Sequence, residues 1–307
     1  MPLVLPRALP RGGTLGICSP AGPVDAERLR WGIDWLESEG FRVVCAPHVR
    51  ARCGYLAGDD RQRLEDFLAL LRDPQVHAIV YSRGGYGTAR WLAGLDPEEL
   101  RAVRKLVIGH SDATSLALFL RARAGLGSIH GPMLQRDDLT AGARRRLLAL
   151  ACGEPEGGAP LRGVTVRAGV ATGPLVGGNL TLLTSSLATP WEIDTRGAVL
   201  FLEDVSEQPY AIDRQLQQLR AAGKLDVLAG VALGHFVGCD SPRYPEVSAH
   251  DVLAEVLGAA FDGPIVRDLS FGHIADNCAL PIGPRARLDG DAGTLTLLET
   301  AVETSTP

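Results

Sequence analysis

Residues 105–115 read KLVIGHSDATS, and the fold turns on them. The apolar run 106–108 is of strand type, and a helical pattern starts at Thr114 and continues to about Ala124. Between them, Gly109-His110-Ser111-Asp112-Ala113 approaches the G-x-S-x-G nucleophile elbow, with Ala113 where the last Gly would stand. Small residues on both flanks allow a turn tight enough to push the Ser111 side chain outward. The helix start behind it offers unpaired backbone N–H groups and the positive end of a dipole. Such groups can hold the oxyanion of a tetrahedral intermediate. The plainer alternative is that Ser111 or Asp112 merely caps a helix.

The same alternation extends outward from this unit. Residues 14–19 (TLGICS) form a strand-like run ended by Pro20, Gly22 and Pro23. Residues 26–39 carry apolar side chains at helical spacing, and Gly40 stops them. FRVVC at 41–45 and VHAIVY at 76–81 are further strands, with a helix over 60–71 between them. Leu64, Phe67, Leu68 and Leu71 share one face of that helix, and Asp59 or Asp60 can cap it. Another helix is expected to begin at 88–92. Strand–helix alternation of this kind implies a parallel sheet covered on both faces, with ligands at the carboxyl ends of its strands.

Beyond residue 151 the composition shifts. Residues 151–172 are rich in Gly, Pro and Ala, and read as a linker with one short strand at most. AVLFLEDV, VLAGVALGHFVG and PIVRDLSFGH then read as strands, with helices at 211–222 and near 250–259. The expected fold class is therefore α/β. An N-terminal doubly wound parallel-sheet domain of Rossmann or flavodoxin type spans 1–155, and a linker spans 156–172. A smaller mixed α/β domain spans 173–307.

Composition narrows the function classes. The net charge is −5, from 31 basic and 36 acidic residues, and no Lys/Arg block stands out. Nucleic acid is therefore not an expected partner. No run of about 18 apolar residues exists to span a membrane. Prolines break the first residues, MPLVLPRALP, so no signal peptide is expected. The six cysteines are dispersed without a CxxC pair, which suits free thiols in a reducing cytoplasm and gives no zinc-ligand spacing. No metal or cofactor is expected.

A second chemical signal precedes the elbow by one strand. YSRGGYGTAR at 81–90 places a glycine pair, Gly84 and Gly85, at a strand end, where backbone can approach a ligand closely. The dinucleotide fingerprint fails there, because Arg90 stands where a Gly or Ala belongs. A serine nucleophile needs a base, and the base an orienting acid. His130, His235 and His273 all lie near strand ends and remain tied on these grounds. His48, His77 and His250 lie elsewhere, and His110 adjoins the serine, so its side chain should point away. Glu203, in LFLEDV, is the candidate acid, because a lone carboxylate ending an apolar strand is costly unless used or paired; Asp204 is its rival.

YSRGGYG (81–87), IGHSDAT (108–114), IHGPM (129–133), GGNL (177–180), LFLEDV (200–205) with Tyr210, Asp213 and Arg214, and FGH (271–273) occur in that order. Joined to SPAG at 19–22, this series resembles the LD-carboxypeptidase family of serine peptidases, which includes murein tetrapeptide carboxypeptidases and microcin C self-immunity proteins. The resemblance runs almost end to end. It implies a Ser111, Glu203, His273 triad in a cleft between two domains. It also implies an oxyanion hole from the backbone N–H groups of Asp112 and of Gly84–Gly85, and a cytoplasmic homodimer. The implied substrate is a small peptide: a muropeptide losing a terminal D-alanine in cell-wall recycling, or alternatively a peptidyl-nucleotide conjugate. A non-enzymatic two-lobed binder is the remaining reading. A carboxypeptidase must also recognise a free carboxylate, for which Arg83 and Arg90 are the candidates.

Overall fold

The computed structural model describes residues 1–135 and 138–304. Its first half runs β1 (Thr14–Cys18), α1 (Ala26–Ser38), β2 (Arg42–Cys45), α2 (Asp60–Arg72), β3 (Ala78–Tyr81), α3 (Pro97–Val103), β4 (Leu106–Ile108), α4 (Thr114–Phe119), β5 (Ser128–His130) and α5 (Ala141–Cys152). Then follow β6 (Leu161–Arg162), β7 (Val164–Arg167), β8 (Val170–Asn179), α6 (Leu180–Ser185), β9 (Val199–Val205) and α7 (Pro209–Ala221). Last come β10 (Gly230–Val237), α8 (Ala249–Ala260), β11 (Ile265–Arg267), β12 (Leu280–Ile282), β13 (Arg285–Asp289) and β14 (Thr294–Leu297).

The first sheet has the order β12-β5-β4-β3-β1-β2. Strands β1 to β5 run parallel to one another, in the flavodoxin-like order 2-1-3-4-5. Alternation along these strands sends apolar side chains to both faces. Leu15, Ile17, Val80 and Ile108 pack with Leu29 and Leu36 of α1 and Leu147 of α5. Ile79, Tyr81 and Val107 face the other way, against Phe67 and Leu71 of α2, Leu100 of α3 and Leu116 of α4. Each such side chain, fully buried, stabilises by roughly 2 kcal/mol relative to exposure. The chain order reverses between β1 and β3, and that switch point is where a ligand site belongs.

The second sheet has the order β6-β14-β13-β8-β9-β10-β11-β7. Its end strands β6 and β7 are separated in sequence by Gly163 alone, so the sheet curls until its edges meet. A Cβ on Gly163 would lie 2.3 Å from the carbonyl oxygen of Arg267, so only glycine fits at that seam. Helices α6, α7 and α8 cover one face through Leu180, Leu216 and Leu253. Among the described residues, no helix is long and apolar enough to cross a membrane.

The structure departs from the sequence reading in four places. Residues 156–172, expected as a linker, hold β6, β7 and the start of β8, because Val164 and Val166 alternate with Thr165 and Arg167 inside a Gly-rich setting that hides the period. Residues 88–92 form no α-helix: short 3₁₀ turns at Thr88–Arg90 and Leu92–Gly94 carry the chain to α3. The run 264–273 is a strand only at Ile265–Arg267, and the loop after it carries FGH. Finally, β12 leaves the C-terminal half and pairs antiparallel with β5, so the second half completes the first sheet.

Candidate active site

Ser111 follows β4 by three residues and opens a 3₁₀ turn, Ser111–Ala113, that runs into α4. Its φ is +59°, in the left-handed region where a side chain is strained. Tight packing holds the turn there. A Cβ on Gly109 would lie 2.8 Å from Ala113 Cβ, and a Cβ on Gly84 would lie 2.9 Å from Ser111 Cβ and 3.0 Å from its Oγ. The glycine pair after β3 thus lies directly against the serine. Buried Asp112 ties the two loops together, accepting a 2.8 Å hydrogen bond from Thr88 N. Burial pushes its carboxyl above the ordinary value. Among the described residues, the backbone N–H groups of Gly84, Gly85 and Asp112 donate to nothing within the protein.

Glu203 ends the apolar part of β9 and is wholly buried. Its Oε2 lies 2.7 Å from His273 Nδ1. Burial raises the Glu203 carboxyl, and the imidazole beside it acts in the opposite direction. Gly272, at φ +111°, lets the loop cross the carboxylate: a Cβ there would lie 3.2 Å from Oε2. Asn277 Oδ1 accepts from Gly272 N at 3.0 Å and holds that loop in place. Asp204, the rival acid, is fully engaged elsewhere. It accepts from Asn179 Nδ2 at 2.7 Å, from Thr181 N and Oγ1 at 2.9 Å, and from Val205 N at 2.8 Å.

The three histidines left tied by the sequence occupy different places. His273 lines one cleft with Ser111, Gly84, Gly85 and Arg83, a space of about 480 Å³ at the mouth of the first sheet. His235 does not line it, and its backbone N–H is bonded to Phe271 O across the bulge of β10. His130 is wholly buried behind the cleft, its imidazole pushed down to about 3 by burial and by the charge of His273. His110, expected to point away, also lines the cleft; its Nδ1 donates to Gly131 O at 3.0 Å, and its ring lies edge-on to the His273 ring at 4.9 Å. Among the described residues, no hydrogen bond joins Ser111 Oγ to His273; bonds of this kind tighten when substrate is held.

Of the two arginine candidates, Arg83 lines the cleft and Arg90 does not. Arg90 is spent on Asp60, with Nε 2.8 Å from Oδ1 and Nη2 2.9 Å from Oδ2. The sequence reading missed Arg28, Met133, Gln135 and Val205, which also line the cleft. Arg28 sits on α1 outside the motifs, and the loop–helix geometry after β1 brings it here. Among the described residues, no group of three or more His, Cys, Asp or Glu could hold a metal ion.

A parallel α/β sheet with a strained serine at a strand-to-helix turn, facing a histidine bound to a buried glutamate, is the architecture of a serine hydrolase. Residues 15–131 match the LD-carboxypeptidase N-terminal domain, and residues 172–288 match the C-terminal domain of the same enzymes. The chain is 39% identical to the probable murein peptide carboxypeptidase of Bacillus subtilis, over 92% of this chain and 91% of that one. It is 31% identical to the solved muramoyltetrapeptide carboxypeptidase of Oxalobacter formigenes, covering 92% and 97% with a TM-score of 0.81. The microcin C7 self-immunity protein MccF of Escherichia coli shares the fold, with a TM-score of 0.89 over 98% of this chain and all of that one at 22% identity. The protein belongs to the LD-carboxypeptidase family and is a serine-peptidase hydrolase.

Proposed function

We propose that this chain is a serine carboxypeptidase that cleaves the amide between an L-centre and a terminal D-amino acid of a muropeptide. The observation that carries the reading is the 2.7 Å bond from buried Glu203 to His273, whose ring lines the cleft onto which Ser111 opens. Ser111 is the nucleophile, His273 the base and Glu203 the acid that orients the imidazole.

His273 Nε2 takes the hydroxyl proton as Ser111 Oγ bonds to the carbonyl carbon. Glu203 fixes the tautomer, since Nδ1 must carry its proton toward Oε2, and it stabilises the imidazolium. The oxyanion rests on the free N–H groups of Gly84, Gly85 and Asp112, each donor worth about 3 kcal/mol in the transition state. Collapse breaks the C–N bond, and His273 returns the proton to the leaving amine. Water, deprotonated by His273, then releases the acyl group.

The fold shared with MccF, solved in complex with aspartyl sulfamoyl adenosine, favours a second reading as an amidase of peptidyl-nucleotide conjugates. A base-stacking aromatic is what that substrate needs, and among the described residues no Phe, Tyr or Trp lines the cleft. The muropeptide reading is therefore preferred. The family resemblance brings with it a cytoplasmic homodimer working in cell-wall recycling.

The test is turnover of L-Ala-γ-D-Glu-meso-diaminopimelyl-D-Ala by the protein and by Ser111→Ala, with a chelator present and D-alanine read by mass spectrometry. Release by the unaltered protein alone is expected. Equal release by both proteins refutes the Ser111 mechanism, and no release by either removes the murein substrate.

A further inference from the structure

The cleft carries a charge that the mechanism does not use. Two arginines, Arg28 and Arg83, line it, and among the described residues no Asp or Glu does, in a chain whose net charge is −5. A cationic cleft in an acidic protein selects anions and draws them in.

The two arginines differ in how they are committed. Arg83 is pinned: Nε donates to Gly84 O at 3.1 Å and Nη1 to Pro23 O at 3.2 Å. It contributes a fixed charge beside the glycine pair but has little of its fork to give. Arg28 lies in the first turn of α1, where Asp25 caps its backbone N–H at 3.0 Å. A cation in a first turn opposes the helix dipole, so this placement costs stability. Yet among the described residues, the Arg28 guanidinium has no ion pair or hydrogen bond. Arg30, Arg61, Arg63 and Arg72, on α1 and α2, each meet a carboxylate. An exposed, unpaired guanidinium presents the planar fork that binds a carboxylate through two bonds.

We infer that Arg28, with Arg83 beside it, grips the terminal carboxylate of the substrate and so restricts the enzyme to the last residue of a peptide. The inference rests on the carboxypeptidase reading above. The chemistry places the anion correctly: the terminal carboxylate is attached to the carbon that bears the scissile nitrogen. It must therefore lie within a few bonds of Ser111 Oγ, in this same cleft. A peptide continuing past that residue would bring a neutral amide to the two cations.

The test compares the D-Ala tetrapeptide with its C-terminal D-alaninamide analogue on the unaltered protein, Arg28→Gln and Arg28→Lys. The unaltered protein is expected to favour the free acid in kcat/KM. In Arg28→Gln that acid-to-amide ratio falls by roughly 10- to 100-fold, the range for losing charge-assisted hydrogen bonds. Arg28→Lys keeps the charge without the fork and gives an intermediate ratio. Full labelling of Ser111 by a fluorophosphonate shows that each variant is folded. An unchanged ratio in a labelled Arg28→Gln overturns the inference and leaves the carboxypeptidase reading intact. An equal loss on acid and amide also overturns it, because Arg28 then meets a different part of the substrate. If the unaltered protein neither labels nor cleaves either peptide, the carboxypeptidase reading fails and this inference with it.

Discussion

His130 should make this protein sensitive to mild acid. The residue lies on β5, wholly buried, its ring 5.2 Å from Phe201 and 5.8 Å from His110. Among the described residues, neither ring nitrogen has a hydrogen-bond partner. Burial first, and the charge of His273 second, push the imidazole from 6.5 down to about 3. An unfolded chain takes up that proton near pH 6.5, whereas the folded chain resists until about pH 3. The folded value is the depressed one, so the stabilising contribution is complete above pH 6.5 and is lost as pH falls toward 3. Each pH unit inside that window costs up to about 1.4 kcal/mol, so passing from pH 7 to pH 5 costs about 2 kcal/mol through this one side chain. His130→Leu keeps a similar volume and removes the titration, while every other titrating group is common to both proteins. Urea unfolding at pH 7 and pH 5 gives the loss for each. The unaltered protein is expected to lose about 2 kcal/mol more than the variant. Equal losses would refute the argument, and would mean that His130 gains a proton in the folded state without penalty. The same neutrality serves the proposed chemistry, since a charged His130 would oppose the imidazolium at His273.

Two further expectations concern the site itself. Glu203→Gln should lower kcat by about 10⁴-fold, as loss of the charged orienting acid does in serine peptidases. Burial raises the Glu203 carboxyl, so its contribution to stability is present below the ordinary value of 4.5 and is lost as pH rises through the folded value. The Gln variant should therefore match or exceed the unaltered protein in thermal stability at pH 7, and a kcat within tenfold of normal would sink the assignment. Gly84→Ala places a methyl 2.9 Å from Ser111 Cβ, so the serine must move; a loss on the order of 10²-fold in kcat is expected, with the circular dichroism spectrum unchanged. Retention of kcat within twofold would show that the elbow tolerates displacement.

What was legible in the sequence follows from how local each signal is. Strands β1 to β4 and helices α1 and α2 were readable because the strands carry apolar runs, and the Asp59 cap sits next to the helical run it starts. Strand β4 matched its expected bounds, Leu106–Ile108, because a fully buried run ends sharply at Gly109. Short strands were the blind spot. β5, β6 and β12 have three residues or fewer, and none is an unbroken run of strand-type apolar residues such as marks the equally short β4. In the site, Ser111 announced itself through its glycine and alanine neighbours. Glu203 and His273 could not be paired by local pattern, since 70 residues separate them and only the crossing of Gly272 over β9 joins them. Arg28 gave no signal at all, because its value lies in what it fails to touch.

The proposed catalytic groups come from opposite halves of the chain, so the site is only as rigid as the joint between them. That joint is built at the level of backbone. β12 pairs with β5, placing Leu280 opposite His130 within a few residues of the loop that carries His273. Buried Arg146 of α5 donates from Nε to Ala279 O at 2.9 Å and anchors the same segment from the other side. Behind Ser111, Asn179 N donates to Thr114 Oγ1 at 3.2 Å, and a Cβ on Gly178 would lie 2.6 Å from the Thr114 side chain. Asn179 in turn holds Asp204, the neighbour of Glu203. A chain of contacts thus runs from the helix that starts at the elbow, through Thr114, Asn179 and Asp204, to the strand that bears the acid. Misplacement of a catalytic group by 1 Å costs about 10²-fold in rate. On that scale the short edge strand and the glycine contacts serve catalysis as directly as the three side chains they align.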